Sequence, residues 1–162
     1  MTLYSELIGK QIISLDSGVG NVVGYDDLGM EGNNFLVIEY GKDRAKNYVN
    51  LEGKKNFREI LSHNEFNKCL DSVSSLDKFF EFESKQERIN FFKTESREED
   101  VEKLLTLLLN LQRLTDLGSV EVQIFDRIME SLSLELSIIS DQTMESTKEI
   151  ILKTIEDDEN EK

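Results

Sequence analysis

The stretch Asn34-Phe35-Leu36-Val37-Ile38-Glu39-Tyr40 is the most strand-like in the chain. Phe35, Val37, Ile38 and Tyr40 are β-branched or aromatic, the types that fit a pleated surface. Turn-rich segments bound it on both sides: Asp26 to Asn33 with Gly29 and Gly32 before, and Gly41-Lys42-Asp43-Arg44 after. Upstream lies Asn21-Val22-Val23-Gly24-Tyr25, and before that Lys10-Gln11-Ile12-Ile13-Ser14-Leu15. These two are separated by Asp16-Ser17-Gly18-Val19-Gly20, whose glycines supply the positive φ of a tight reversal. Downstream, Lys46-Asn47-Tyr48-Val49-Asn50-Leu51 alternates, with Lys46, Tyr48 and Asn50 on one face and Asn47, Val49 and Leu51 on the other. Four or five short strands at regular spacing predict a small, strongly bent antiparallel sheet or partial barrel.

The rest of the 162 residues follows a different pattern. Eight of the nine glycines precede Lys54, and all four tyrosines lie in the same region. After it come helix signals. Ser62-His63-Asn64-Glu65 is a capping box, Ser at the N-cap and Glu three residues on, before Phe66, Leu70 and Val73. Ser84-Lys85-Gln86-Glu87 and Ser96-Arg97-Glu98-Glu99 repeat the pattern. The third box precedes Val101, Leu104, Leu105, Leu107, Leu108, Leu109 and Leu111, a helix apolar around most of its circumference and so expected at the centre of its half. Gly118 suits a helix C-cap or a helix-to-helix turn. A helix from Ser119 to Ile139 carries Ile124, Phe125, Ile128, Leu132, Leu136 and Ile139 on one stripe. Asp141 is placed to cap a last helix with Met144, Ile151 and Ile155 inward. The expected fold is α+β, with domains at 1–72 (sheet) and 73–156 (all helical) and a disordered acidic tail over 157–162. The junction Ser72-Val73-Ser74-Ser75-Leu76 is the boundary candidate.

Charge narrows the function. The chain holds 33 acids against 19 bases, net −14. Residues through Ser72 carry 8 bases and 11 acids; the remainder carries 11 and 22. Such a chain repels nucleic acid and anionic lipid at long range, so a protein partner or a small local basic contact is favoured over binding of DNA by charge alone. No run approaches the ~20 apolar residues of a membrane span. The start, MTLYSELIGKQ, has neither a basic nor an apolar signal region, which predicts a cytoplasmic protein.

Catalytic and cofactor readings find little support. His63 is the single histidine and Cys69 the single cysteine, so a hydrolytic triad, a disulfide framework or a Cys/His metal site has no residues to draw on. His63 follows an N-cap, where a solvated side chain is expected, and Cys69 shares a helix face with Phe66, Leu70 and Val73. Gly18-Val19-Gly20 lacks the third glycine of a phosphate loop, since Val23 holds that place. Asp26, Asp27 and Glu31 lack the alternating spacing of a calcium loop. Glu98, Glu99, Asp100 and Glu102 suit the positive end of a helix dipole. We expect no enzyme activity, no cofactor, no bound metal and no small-molecule substrate.

The order of elements resembles the CarD/CdnL family of bacterial transcription regulators. The similar segments are Leu7-Ile8-Gly9-Lys10-Gln11-Ile12-Ile13, Gly18-Val19-Gly20-Asn21-Val22-Val23 and Asn34 to Tyr40, then Asn56-Phe57-Arg58-Glu59-Ile60-Leu61-Ser62 with Glu65. Downstream, Leu117-Gly118-Ser119-Val120-Glu121 and Leu132 to Leu136 (LSLEL) resemble the family's helical domain.

The resemblance implies a Tudor-like amino-terminal domain, shared with the transcription-repair coupling factor, that pairs an edge strand with the β subunit of RNA polymerase. The strand from Lys46 is the expected edge, with Lys46, Tyr48 and Asn50 facing the polymerase. The resemblance also implies a helical domain that touches promoter DNA with a tryptophan wedge and flanking cations, stabilising the open promoter. This chain has no tryptophan and no proline. Phe82 stands at the expected wedge position, with Lys85 and Arg88 one turn apart as the cations. From the residues alone, Phe79, Phe80, Phe82, Phe91 and Phe92 read as core. The alternative to a DNA-contacting regulator is an acidic adaptor that binds polymerase or another protein without touching DNA.

Overall fold

A computed structural model describes residues 5–29, 35–50, 57–76 and 79–160, with side chains from Glu6 to Glu156. The chain forms two compact units, Met1–Ile60 and Leu61–Lys162. The class is α+β: strands come first, helices second.

In the first unit a short 3-10 turn (Ser5–Leu7) precedes β1 (Gln11–Ser14), β2 (Gly18–Asp26), β3 (Phe35–Tyr40), β4 (Ala45–Asn50) and the two-residue β5 (Arg58–Glu59). They form one antiparallel sheet in the order β4-β3-β2-β1-β5. Ile12, Val22, Leu36, Ile38 and Phe57 make its core, with Leu7, Tyr40 and Val49 packed against them. Leu36, Ile38 and Tyr40 are alternate residues of one strand, so they share a face. An extra residue at Val23 shifts the β2–β3 register, because Val22 pairs with Ile38 and Gly24 with Val37. Such a bulge sharpens the local twist and bends the strand.

The two glycines of the β1–β2 reversal do different work. Gly18 has φ +77°, the left-handed conformation that closes the turn. Gly20 sits inside β2 opposite Tyr40. A Cβ there would lie 2.7 Å from Tyr40 Cδ1 and 2.8 Å from Ile38 Cγ2, so the ring needs a bare backbone to pack on. At Gly24, in the same strand, a Cβ would meet nothing within 4 Å.

The second unit holds α1 (His63–Ser74), α2 (Lys85–Glu95), α3 (Val101–Arg113), α4 (Ser119–Ser140) and α5 (Met144–Asn160). Helix α3 is central as expected. It packs on α1, α4 and α5 and buries Val101, Leu104, Leu105, Leu107, Leu108, Leu109, Asn110 and Leu111. The capping box at Ser62 forms in full: Ser62 Oγ accepts from Glu65 N at 3.2 Å, and Glu65 Oε2 accepts from Ser62 N at 3.2 Å. Ser84 Oγ accepts from Glu87 N at 3.1 Å and starts α2.

Several expectations are corrected. The unit boundary falls after Ile60, not at 72, because Ser72 lies within α1 and α1 packs on α3 and α5. Ser96 does not start the leucine helix. Its N–H donates to Phe92 O and closes α2, while its hydroxyl bonds Lys93 O and Arg127 Nη2. Asp100 takes the N-cap of α3, accepting from Lys103 N at 2.9 Å. Of the two places expected for Gly118 the helix C-cap is not taken; it lies in the helix-to-helix turn, as the N-cap of α4 with extended backbone. Asp141 ends α4 in the left-handed region (φ 56°), and Thr143 Oγ1 accepts from Ser146 N at the start of α5. The backbone of α5 continues to Asn160, past the start of the expected disordered tail. Nothing between Glu156 and Asn160 is a glycine or proline that would stop a helix. The expectations for Glu31, Asn34, Leu51, Asn56, residues 161–162 and the side chains after Glu156 lie outside the described residues.

Gly20→Ala should lower the unfolding free energy of the sheet unit by about 1–3 kcal/mol, the range for an overpacked core. Gly24→Ala should leave it within about 1 kcal/mol, since the site is open. Urea unfolding followed by tyrosine fluorescence compares the two.

Candidate functional sites

The rim of the sheet is asymmetric. At one end β5 has two residues, and Lys10 Nζ pairs with Glu59 Oε1 at 2.8 Å beside it. At the other end β4 has six residues, all exposed except Val49. Among the described residues, β3 is the only strand paired with β4. A six-residue rim offers backbone N–H and C=O groups to an incoming chain; a two-residue rim offers almost none. Among the described residues, the strand expected at the edge stands at the end of the sheet order.

Lys46, Tyr48 and Asn50 are exposed, and Tyr48 is 43% exposed. They stand opposite Glu39, Val37 and Phe35 of β3. Val49, on the opposite face, packs on the core. The β3–β4 turn closes with Gly41 (φ 69°) and Arg44 (φ 52°) in the left-handed region. Lys42, Arg44 and Lys46 bring cations to this hairpin of an otherwise acidic chain.

In the helical unit, Phe82, Lys85 and Arg88 do not form one exposed set. Phe82 is half-buried in a cluster of rings, with centroids 5.1 Å from Phe91 and 5.8 Å from Phe92. Phe91 meets Phe92 edge-on at 5.4 Å and Phe80 at 4.9 Å. Phe80, at 45% exposure, is the most open of these rings. Phe79 lies under the Arg113 guanidinium, 3.3 Å from Cζ to the ring centroid. Lys85 is exposed, its Nζ 3.7 Å from Asp116 Oδ2.

Arg88 is buried, and its guanidinium makes four hydrogen bonds. Nε donates to Glu121 Oε2 at 2.7 Å and Nη2 to Glu121 Oε1 at 2.8 Å, a bidentate pair. Nη1 donates to Asp116 Oδ1 at 3.0 Å, and Nη2 to the Asp116 carbonyl at 3.4 Å. Glu121 is fully buried and also accepts from Gly118 N at 3.2 Å. This carboxylate thus caps α4 and holds α2. The Arg88 hydrogen bonds lower the Glu121 pKa against the opposing effect of burial, and they lower that of Asp116 as well. The same bonds raise Arg88.

Sequence reasoning missed other buried polar groups. Glu135 is fully buried, and its Oε1 accepts from Leu61 N at 2.9 Å, tying the start of the helical unit to α4. Asn110 Oδ1 accepts from Phe80 N at 2.9 Å, and Asn110 Nδ2 donates to Thr106 O at 2.8 Å, which anchors the segment before α2 on α3. Thr147 Oγ1 donates to Ser133 O at 2.9 Å between α5 and α4. All three sit in apolar stripes, and only that placement could have marked them.

Among the described residues no cluster of three or more His, Cys, Asp or Glu could hold a metal ion, and no helix is long and apolar enough to cross a membrane. His63 is exposed at the start of α1, and Cys69 is half-buried. No family model and no curated protein matches the chain.

Breaking the buried pair by Glu121→Gln should cost about 3–5 kcal/mol, the penalty of a stranded buried charge. Arg88→Met combined with Glu121→Leu should recover most of it. The lowered pKa of Glu121 means its contribution is complete above the carboxylate's unfolded pKa and is lost as pH falls through the folded value. Thermal unfolding followed by circular dichroism between pH 7 and pH 3 should show a steeper acid loss in wild type than in Glu121→Gln.

Proposed function

We propose that the chain is a cytoplasmic transcription regulator of the CarD/CdnL kind. In this reading its amino-terminal unit is a Tudor-like module that docks on the β subunit of RNA polymerase, and its bound state modulates promoter open-complex stability. It catalyses no reaction and needs no cofactor. The observation that carries the reading is the terminal strand β4, with Lys46, Tyr48 and Asn50 exposed on one face. Strand addition supplies affinity through main-chain hydrogen bonds and specificity through alternate side chains. Tyr48 offers a rigid, partly apolar contact surface and Lys46 a charge, a pairing suited to an interface centre and its rim.

A second reading is favoured by Arg88. With that cation held by Glu121 and Asp116 and Phe82 packed on Phe91 and Phe92, promoter DNA is left with Lys85 alone of the three expected contacts. The helical unit has 24 acids against 12 bases. An adaptor that docks on polymerase and recruits protein rather than DNA accommodates both facts.

Purified full-length protein should bind an isolated polymerase β lobe in a pull-down, and Tyr48→Ala should weaken the affinity about tenfold or more, as loss of an interface anchor does. No binding by wild type would overturn the docking reading. Promoter affinity of the complex, measured across salt concentrations, separates regulator from adaptor, because a phosphate contact weakens steeply with salt. The adaptor reading expects a complex no tighter on promoter DNA than polymerase alone.

A further inference from the structure

The loop between α3 and α4 is Leu114-Thr115-Asp116-Leu117-Gly118, and it spends two leucines where solvated residues are the rule. Leu114 ends α3 with extended backbone, its N–H donating to Leu111 O at 3.2 Å. With Leu111, Gln112, Leu117, Val122 and Phe125 it lines a groove of about 200 Å³. Leu111 is fully buried and forms the floor; Val122 is 43% exposed at the lip. Cofactor and drug-sized pockets run to roughly 300–1,000 Å³, so this one is sized for a protruding side chain instead.

Two exposed carboxylates stand beside lining residues of the groove, Asp126 next to Phe125 and Glu156 on Gln112. Asp126 stands one helical turn from Val122 on the same face of α4 and is exposed. Glu156 is exposed, and its Oε1 accepts from Gln112 Nε2, part of the groove wall, at 3.3 Å. Asp116 lies between the two loop leucines, half exposed, with Arg88 and Lys85 on its carboxylate. The nearby Arg113 places its guanidinium over the Phe79 ring. A second copy of this chain would bring a net −14 against the same sign, and nucleic acid is repelled likewise.

We propose that the α3–α4 groove docks a short basic segment of another protein, with one large aliphatic side chain in the groove and flanking Lys or Arg beside Asp126 and Glu156. The apolar anchor supplies most of the affinity. The carboxylates select the sign of the partner and speed its approach. This site depends neither on β4 nor on any role in transcription.

The test uses the full chain, isotopically labelled, and three synthetic peptides of equal length. One is Lys-rich with leucine anchors, one has those leucines replaced by serine, and one replaces lysine by glutamate. Binding is read by fluorescence anisotropy and by NMR shifts. The Lys–Leu peptide should bind, with shifts centred on Leu111, Leu117, Val122 and Phe125. Serine replacement, and separately Val122→Gln at its exposed site, should each weaken binding about tenfold. Asp126→Lys should weaken it and flatten its salt dependence. Four outcomes overturn the proposal: no binding by about 1 mM peptide, a bare −4 kcal/mol interaction; equal binding of the serine or glutamate peptides; shifts spread over the whole acidic surface; or a dimer in sedimentation that Val122→Gln dissolves.

Discussion

The Arg88–Glu121 pair is the constraint on which the helical unit depends. Burying a guanidinium and a carboxylate is tolerable only when nearly every donor and acceptor is met, and here they are. Glu121 serves three elements at once: it holds α2 through Arg88, caps α4 through Gly118 N, and shares Arg88 with Asp116 in the connecting loop. That loop presents Leu114 and Leu117 to the groove. The ion pair thus holds, through Asp116 and Gly118, the same loop that carries the two lining leucines.

The sheet unit solves a different problem. Its core is small, and β2 departs from a regular strand at one bulge and one bare backbone position. Val23 adds the residue that twists β2, and Gly20 lets the Tyr40 ring close over the strand. These two features shape the sheet while leaving β4 long and outward-facing. The helical unit locks its key residues by charge, whereas the sheet unit does so by absence of side chain.

Much of this was legible in the residues. Strand alternation put Lys46, Tyr48 and Asn50 on one side and Val49 on the other, because a pleat has a strict period of two. The leucine density of 101–111 marked α3 as central, and Ser62 with Glu65 marked the start of α1. What failed to show was tertiary in origin. Ser96 and Asp141 are chemically fit to start helices, and they end them instead, since the deciding hydrogen bonds come from Phe92 and Ser137 carbonyls behind them. Arg88 looks like a surface cation in sequence. Its carboxylate partners lie 28 and 33 residues on, a distance that no local pattern spans. The two-residue β5 has too little sequence to carry a period, and the groove is made by residues whose leucines alone suggest only core.

The lopsided rim has a consequence for assembly. Among the described residues, one border of the sheet is a stub of two residues beside the Lys10–Glu59 ion pair and the other is six residues long, so the main-chain groups are concentrated at one border. Lys46 on that longer border is the kind of charge that blunts unwanted strand-to-strand pairing.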